Sequence, residues 1–111
     1  MRKSSVAWLT LIVICIIAWQ QDVVNHEDVH YKIFRDYGIP ATVDITLFGG
    51  STRPDNPDLV NKLSADDFRM MEAEHIQNEI VDYNTVSTRM FLMILVVMFG
   101  YGFCQRVFPD E

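Results

Sequence analysis

A mainly α-helical membrane fold is what this sequence predicts: an antiparallel hairpin of two long transmembrane helices with water-side extensions, joined by a short strand and loop. Three observations predict it. Half of the 111 residues are hydrophobic, yet the formal net charge is −6. The two properties are segregated, with apolar residues crowded into Val6–Trp19 and Met90–Cys104 and most charges between them. Long helices can carry both, since no proline or glycine occurs from Ser4 to Tyr37, and none from Ala65 until Gly100. A chain of this length is enough for one domain.

Each apolar run falls short of the roughly 20 residues that cross a bilayer core. Ser4, Ser5 and Gln20–Val24 complete the first, and Val107 and Phe108 the second. The expected segments are therefore a first transmembrane helix at residues 1–21, an acidic extracytoplasmic segment at 22–88, and a second transmembrane helix at 89–108. Trp8 and Trp19 suit the two membrane interfaces, and Arg89 and Arg106 have stems long enough to snorkel. A cleaved signal peptide also begins with basic residues such as Arg2 and Lys3, but Ala18-Trp19-Gln20 fits a cleavage site poorly, so a retained anchor is expected. Arg2 and Lys3 hold the N-terminus in the cytoplasm. Residues 21–88 carry thirteen acidic and five basic side chains, so this segment faces outward and both termini lie inside.

Between the apolar runs the punctuation is clear. Gly38 supplies a helix stop, with Pro40 two residues later. In Ala41–Gly50 the residues Val43, Ile45 and Leu47 alternate with Asp44 and Thr46, which is strand patterning ended by Gly49-Gly50. Pro54, Asn56, Pro57 and Asn61 mark Ser51–Lys62 as an exposed loop. Ser64 is a helix cap, with Asp66 and Asp67 in the first turn. Cys15 and Cys104 fall at different depths of the hairpin, about 15 Å apart by helical rise, so they are expected as separate thiols. An acidic exposed segment without a basic stripe excludes nucleic acid as a partner.

The chemistry is concentrated in two segments, which also hold all three histidines. His26-Glu27-Asp28-Val29-His30 reads HExxH. On a helix its imidazoles lie four residues apart on one face and can hold one metal from adjacent turns. Glu72, His75, Glu79 and Asp82 follow at spacings of three, four and three, and so line one face of the second long helix. The histidine pair lies roughly 12 Å beyond the first apolar run, and Glu79 roughly 16 Å beyond the second. In an antiparallel hairpin the two half-sites meet at similar height.

These residues resemble the gluzincin class of zinc metallopeptidases, which combine HExxH on one helix with an Asn-Glu pair on a second. The match covers His26–His30 and Asn78–Glu79. The layout also looks like that of small archaeal two-span membrane proteins with an HExxH segment and a later Asn-Glu segment. The resemblance implies His26, His30 and Glu79 as ligands of Zn²⁺ or another divalent metal, and Glu27 as general base. It makes Asp82 similar to the acid that orients a ligand histidine. His75 is a further candidate, beside the ligands or as a donor to the reacting carbonyl. Tyr83 and Tyr37 are candidate oxyanion donors, with packing as the alternative. In the class a strand precedes the HExxH helix, whereas here the strand candidate follows it.

Two readings from different classes follow. One is a membrane-anchored zinc metallopeptidase acting on peptides, with an extended substrate pairing against Thr42–Phe48. The other is a non-catalytic accessory subunit of a larger membrane complex, or a homo-oligomer, in which the metal or acidic face is structural. An adaptor without metal is the remaining possibility of that second kind.

Overall fold

A computed structural model describes residues 2–109; Met1, the first residue of the expected 1–21 helix, lies outside them. The chain forms α1 (Lys3–Asp36), β1 (Ala41–Ile45), β2 (Gly50–Pro54), α2 (Pro57–Asn61) and α3 (Ala65–Val107). It is mainly helical, with two long apolar helices joined by a small antiparallel strand pair. Its radius of gyration is 19.8 Å and its extents are 69 × 22 × 14 Å. A compact domain of this length has a radius near 13 Å, so this is a rod.

α1 ends where the sequence says it must. Gly38 takes φ 71°, its N–H bonds the Arg35 carbonyl, and the Ile39 N–H bonds the Phe34 carbonyl, both at 2.9 Å. This is the Schellman pattern, completed by burial of Phe34 and Ile39 in one apolar cluster. That cluster also holds Ile33 and Met71, with Leu59, Val60 and Leu63 packed around it. It plugs the distal end of the rod and joins α1, α2 and α3. α3 starts as expected, with the Ser64 hydroxyl accepting from the Asp67 N–H at 3.1 Å, and continues through Gly100 and Gly102 to Val107.

One expectation is corrected. Ser51–Lys62 is not an open loop: it contains most of β2 and all of α2. β2 returns alongside β1, pairing Ile45 with Gly50 and Ala41 with Pro54. Pro54 is tolerated because it closes the strand at its end. Asn56 caps α2 by accepting from the Asp58 N–H at 3.1 Å, with Pro57 at the first helical position. The joining element is thus a β-hairpin and a short helix.

α1 and α3 run antiparallel along the rod, and the seam is specific. The Trp8 indole N–H donates to the Val97 carbonyl at 2.9 Å, and its ring meets Tyr101 edge-on at 5.5 Å. Trp8 therefore serves the helix–helix seam, where an interfacial role had been expected. A Cβ on Gly100 would stand 3.1 Å from Leu11 Cδ1, so the missing side chain sets the approach. Asp22 pairs with Arg89 further along. Ser4–Gln21 and Met90–Gln105 carry no charged side chain, and this ion pair aligns their upper ends. Cys15 and Cys104 are both free thiols.

The hairpin lies along α1 with its turn pointing back toward the apolar half of the rod. Thr52 and Gly50 approach Glu27, and the Phe48 carbonyl accepts from the Trp19 indole N–H at 3.4 Å. Ladder bonds at its two ends fix which backbone groups are free. Thr46 N–H donates to Gly49 at 2.7 Å and Asp55 N–H donates to Pro40 at 2.9 Å. Antiparallel pairs alternate between bonded and unbonded. The bonded pairs between these ends are Asp44–Ser51 and Thr42–Arg53, so Gly50 and Thr52 turn their backbone groups away from β1.

Candidate metal centre

Four residues of helical rise place His26 and His30 on one face of α1. The three-four-three spacing places His75, Glu79 and Asp82 on the facing side of α3. The antiparallel seam then brings the halves together. His26 Nε2 and His30 Nε2 are 3.2 Å apart. Glu79 Oε1 lies 3.2 Å from the first and 2.8 Å from the second. Ligand atoms around a tetrahedral zinc with bonds of about 2.0–2.1 Å stand about 3.3 Å apart. His26, His30 and Glu79 are thus a group that could hold a metal ion.

The remaining ring nitrogens bear on the tautomers that such binding needs. His26 Nδ1 faces Asp82 Oδ2 at 3.3 Å, and His30 Nδ1 faces His75 Nδ1 at 2.7 Å. Protons on both Nδ1 atoms, with Asp82 and His75 beside them, would leave both Nε2 lone pairs directed at the shared point, and the Asn78 amide nitrogen also stands 3.4 Å from His26 Nδ1. His75 must then carry its own proton on Nε2, and that atom is buried without a hydrogen-bond partner among the described residues. Burial lowers the His75 pKa, and the neighbouring His30 lowers it further against the opposing pull of Glu72, Glu74 and Glu79. For Glu79, partial burial pushes the carboxyl up. The His30 hydrogen bond and the charges of His26 and His30 outweigh it, so the net shift is downward. Asn78 donates to the His26 carbonyl at 3.3 Å, tying the Asn-Glu segment to the HExxH turn.

Glu27 is buried, at 6% exposure, and takes no part in the three-atom cluster. Its Oε2 accepts from the Thr52 hydroxyl at 2.5 Å. A Cβ on Gly50 would stand 3.0 Å from Glu27 Cγ, so β2 packs directly on this side chain. Glu27 and Glu79 line two adjoining clefts. One, of 340 Å³, extends past Trp19, Asp22, Phe48 and Val86; the other, of 420 Å³, past Thr52, Glu72 and His75. Together they form a groove between β2 and α3, with the HExxH turn as its floor.

Of the residues singled out from sequence, the structure brings together His26, Glu27, His30, His75, Glu79 and Asp82. Tyr83 stands apart. It is 74% exposed, because seven residues from Ile76 put it on the Ile76–Ile80 flank of α3, turned off the site. Tyr37 donates to Glu74 at 2.9 Å. Sequence reading missed Thr52, which lay in the supposed loop. The signal for it was the return of small and β-branched residues at Gly50–Arg53 after a glycine turn. It also missed the second strand edge: the strand that borders the groove is β2, where Thr42–Phe48 had been expected. Comparison with known proteins finds no matching family model, no matching curated protein and no matching solved structure.

Proposed function

We propose that the protein is a membrane-anchored zinc metallopeptidase, with His26, His30 and Glu79 as ligands and Glu27 as general base. The observation that carries this reading is the convergence of three ligand atoms within 3.2 Å beside a separate, buried carboxylate. A structural site has no use for a second carboxylate held outside the ligand set and facing a groove.

Zinc held by His26, His30 and Glu79 would activate a water by lowering its pKa to about 7. The protein's own groups supply the rest. Thr52 holds Glu27 Oε2, which leaves the other carboxylate oxygen to take the proton from water. Oxygen from that water would join the peptide carbonyl carbon as the C–N bond breaks. Glu27 delivers the proton to the departing nitrogen, giving a carboxylic acid and an amine. An extended peptide in the groove can bond the free backbone groups of Gly50 and Thr52, with β2 as its neighbouring strand.

The apolar helices support the anchoring. Along the rod Val13, Ile17, Phe99 and Phe103 are exposed, and each large apolar side chain left in water forgoes about 1.5–3 kcal/mol. A bilayer supplies the missing apolar surroundings. The charge-free stretches are bounded by Lys3 and Arg106 at one end and by the Asp22–Arg89 pair at the other. Their lengths of roughly 24–27 Å approach a hydrocarbon core of about 30 Å. We read both termini as cytoplasmic and the metal centre as extracytoplasmic.

A second reading has one observation in its favour. Ile76, Ile80 and Tyr83 form an exposed apolar flank on the part of α3 beyond Arg89. Such a flank suits a second copy of the chain or a larger membrane complex, in which the metal site is structural. Zinc analysis of detergent-purified protein tests the metal site that both readings share, and peptide hydrolysis separates them, because only the peptidase reading expects Glu27→Gln to lose turnover while keeping its zinc. The peptidase reading expects one zinc per chain in wild type and in Glu27→Gln, and none in His26→Ala. A zinc-free wild type that stays folded removes it.

A further inference from the structure

The tip of the hairpin is ill suited to water. Leu47 and Phe48 are 51% and 74% exposed, and Ile45–Thr52 contains no charged residue. A turn in water favours polar residues at such positions. The tip's position explains its composition. The Phe48 carbonyl accepts from the indole of Trp19, and Trp19 lies three residues before Asp22, or about 4.5 Å toward the apolar half of the rod. Phe48 therefore sits at the level where the charge-free stretch of α1 begins. Its exposed ring continues the apolar surface of the two helices, and an indole at that level is the side chain favoured at a bilayer interface.

Resting on the membrane-anchored peptidase reading, we propose that Leu47 and Phe48 insert into the outer interface of the bilayer as a third anchor. The groove then opens at the membrane surface, and its substrates are membrane-anchored polypeptides cut just outside their spans. The cleft at that end is lined by Trp19, Phe48, Gly49 and Val86, and it leads to His26 and Glu27. His26 and His30 stand about 6 and 12 Å beyond the Asp22 level. An extended chain rising at about 3.3 Å per residue covers that height in about two to four residues. A peptide emerging from the bilayer thus meets the metal centre almost at once. Its confinement to the same membrane raises its effective concentration over that of a free peptide.

Two measurements test this. Spin labels are placed singly at Phe48→Cys, Val13→Cys and Asn56→Cys in protein lacking its native thiols, reconstituted in phosphatidylcholine–phosphatidylglycerol vesicles. The expected result is oxygen-rich, nickel-chelate-poor collision at residue 13, an intermediate profile at residue 48, and an aqueous profile at residue 56. An aqueous profile at both 48 and 56, with residue 13 in the lipid, overturns the tip insertion and leaves the anchoring intact. An aqueous profile at residue 13 overturns the anchoring and the inference together. In the same vesicles, random-sequence fluorogenic peptides are offered either free or carried on one leucine-rich span. Carried peptides should be cleaved at least about 10-fold faster, with cuts two to four residues outside the span. Leu47→Glu should remove that advantage and leave cleavage of the free peptides unchanged. Equal cleavage of both forms by wild type overturns the substrate class but spares the peptidase reading. Cleavage of neither by zinc-loaded protein overturns both.

Discussion

Glu79 Oε1 lies 2.8 Å from His30 Nε2, although 49 residues separate the two in sequence. The contact joins the two helices at the candidate metal centre, and each partner supplies an atom that the other helix cannot. Removing either should leave two ligands, which hold zinc weakly. Glu79→Ala and His30→Ala are each expected to weaken zinc binding at least about 100-fold in competition with a chromophoric chelator. Asp82→Asn, which disturbs only the orientation of His26, should cost about 10-fold. Wild-type affinity in all three would show that these side chains hold no metal.

The proposed mechanism gives Glu27 a role apart from the ligands, and substitution should reveal it. Glu27→Gln keeps the side-chain size and can still accept from Thr52. Zinc content and thermal stability should match wild type, while peptide hydrolysis falls about 10²–10⁴-fold. Thr52→Val leaves the carboxylate in place but without its hydrogen bond, and a smaller loss of about 10-fold is expected. Unchanged turnover in Glu27→Gln would move the general base elsewhere.

Gly50 and Gly49 are adjacent, yet they should respond differently to alanine. A Cβ at Gly50 would meet Glu27 Cγ and Ile45 Cδ1 at 3.0 Å and Val23 Cγ1 at 3.1 Å. At Gly49 the nearest atom would be Thr46 Oγ1, at 3.9 Å. Gly50→Ala is expected to lose about 1–3 kcal/mol in denaturant unfolding and to shift the Glu27 side chain. Gly49→Ala should remain within about 0.5 kcal/mol of wild type.

Acid should weaken the metal-free fold through His75. Its pKa is lowered in the folded protein, first by burial and then by His30. Below about pH 6.5 the unfolded chain takes up a proton there that the folded chain refuses. Stability is therefore full above that pH and declines as the pH falls toward the folded-state value. Glu79, also lowered, adds a loss of the same sign at more acidic pH. Urea unfolding of metal-free protein across pH 4.5–8 should show the decline, and His75→Phe should flatten the part nearest neutrality.

Topology has its own readout. Asn56 caps the short helix α2 at the far end of the rod from the charge-free stretches. A thiol at Asn56→Cys should react with a membrane-impermeant maleimide added to intact cells, and one near Arg2 only after lysis. The reverse pattern would invert the orientation.

Much of this protein was determined by its sequence alone. Two long stretches without glycine or proline, Ser4–Tyr37 ended by Gly38 and Ala65–Phe99 begun after Ser64, dictate two long helices because helix signals are local. The spacing of His26, His30, His75, Glu79 and Asp82 was equally legible, since helical periodicity decides which residues share a face. The sequence did not reveal β2, because Pro54 and two asparagines in that region signal a loop when no partner strand is considered. Pairing with β1 decides otherwise, and a strand's existence depends on such a distant partner. Only the tertiary structure placed Thr52 on Glu27, His75 on His30 and the Phe48 carbonyl on Trp19, and turned Tyr83 away. Those contacts depend on where the hairpin folds back along α1 and on the register of two antiparallel helices, which long-range packing alone can set.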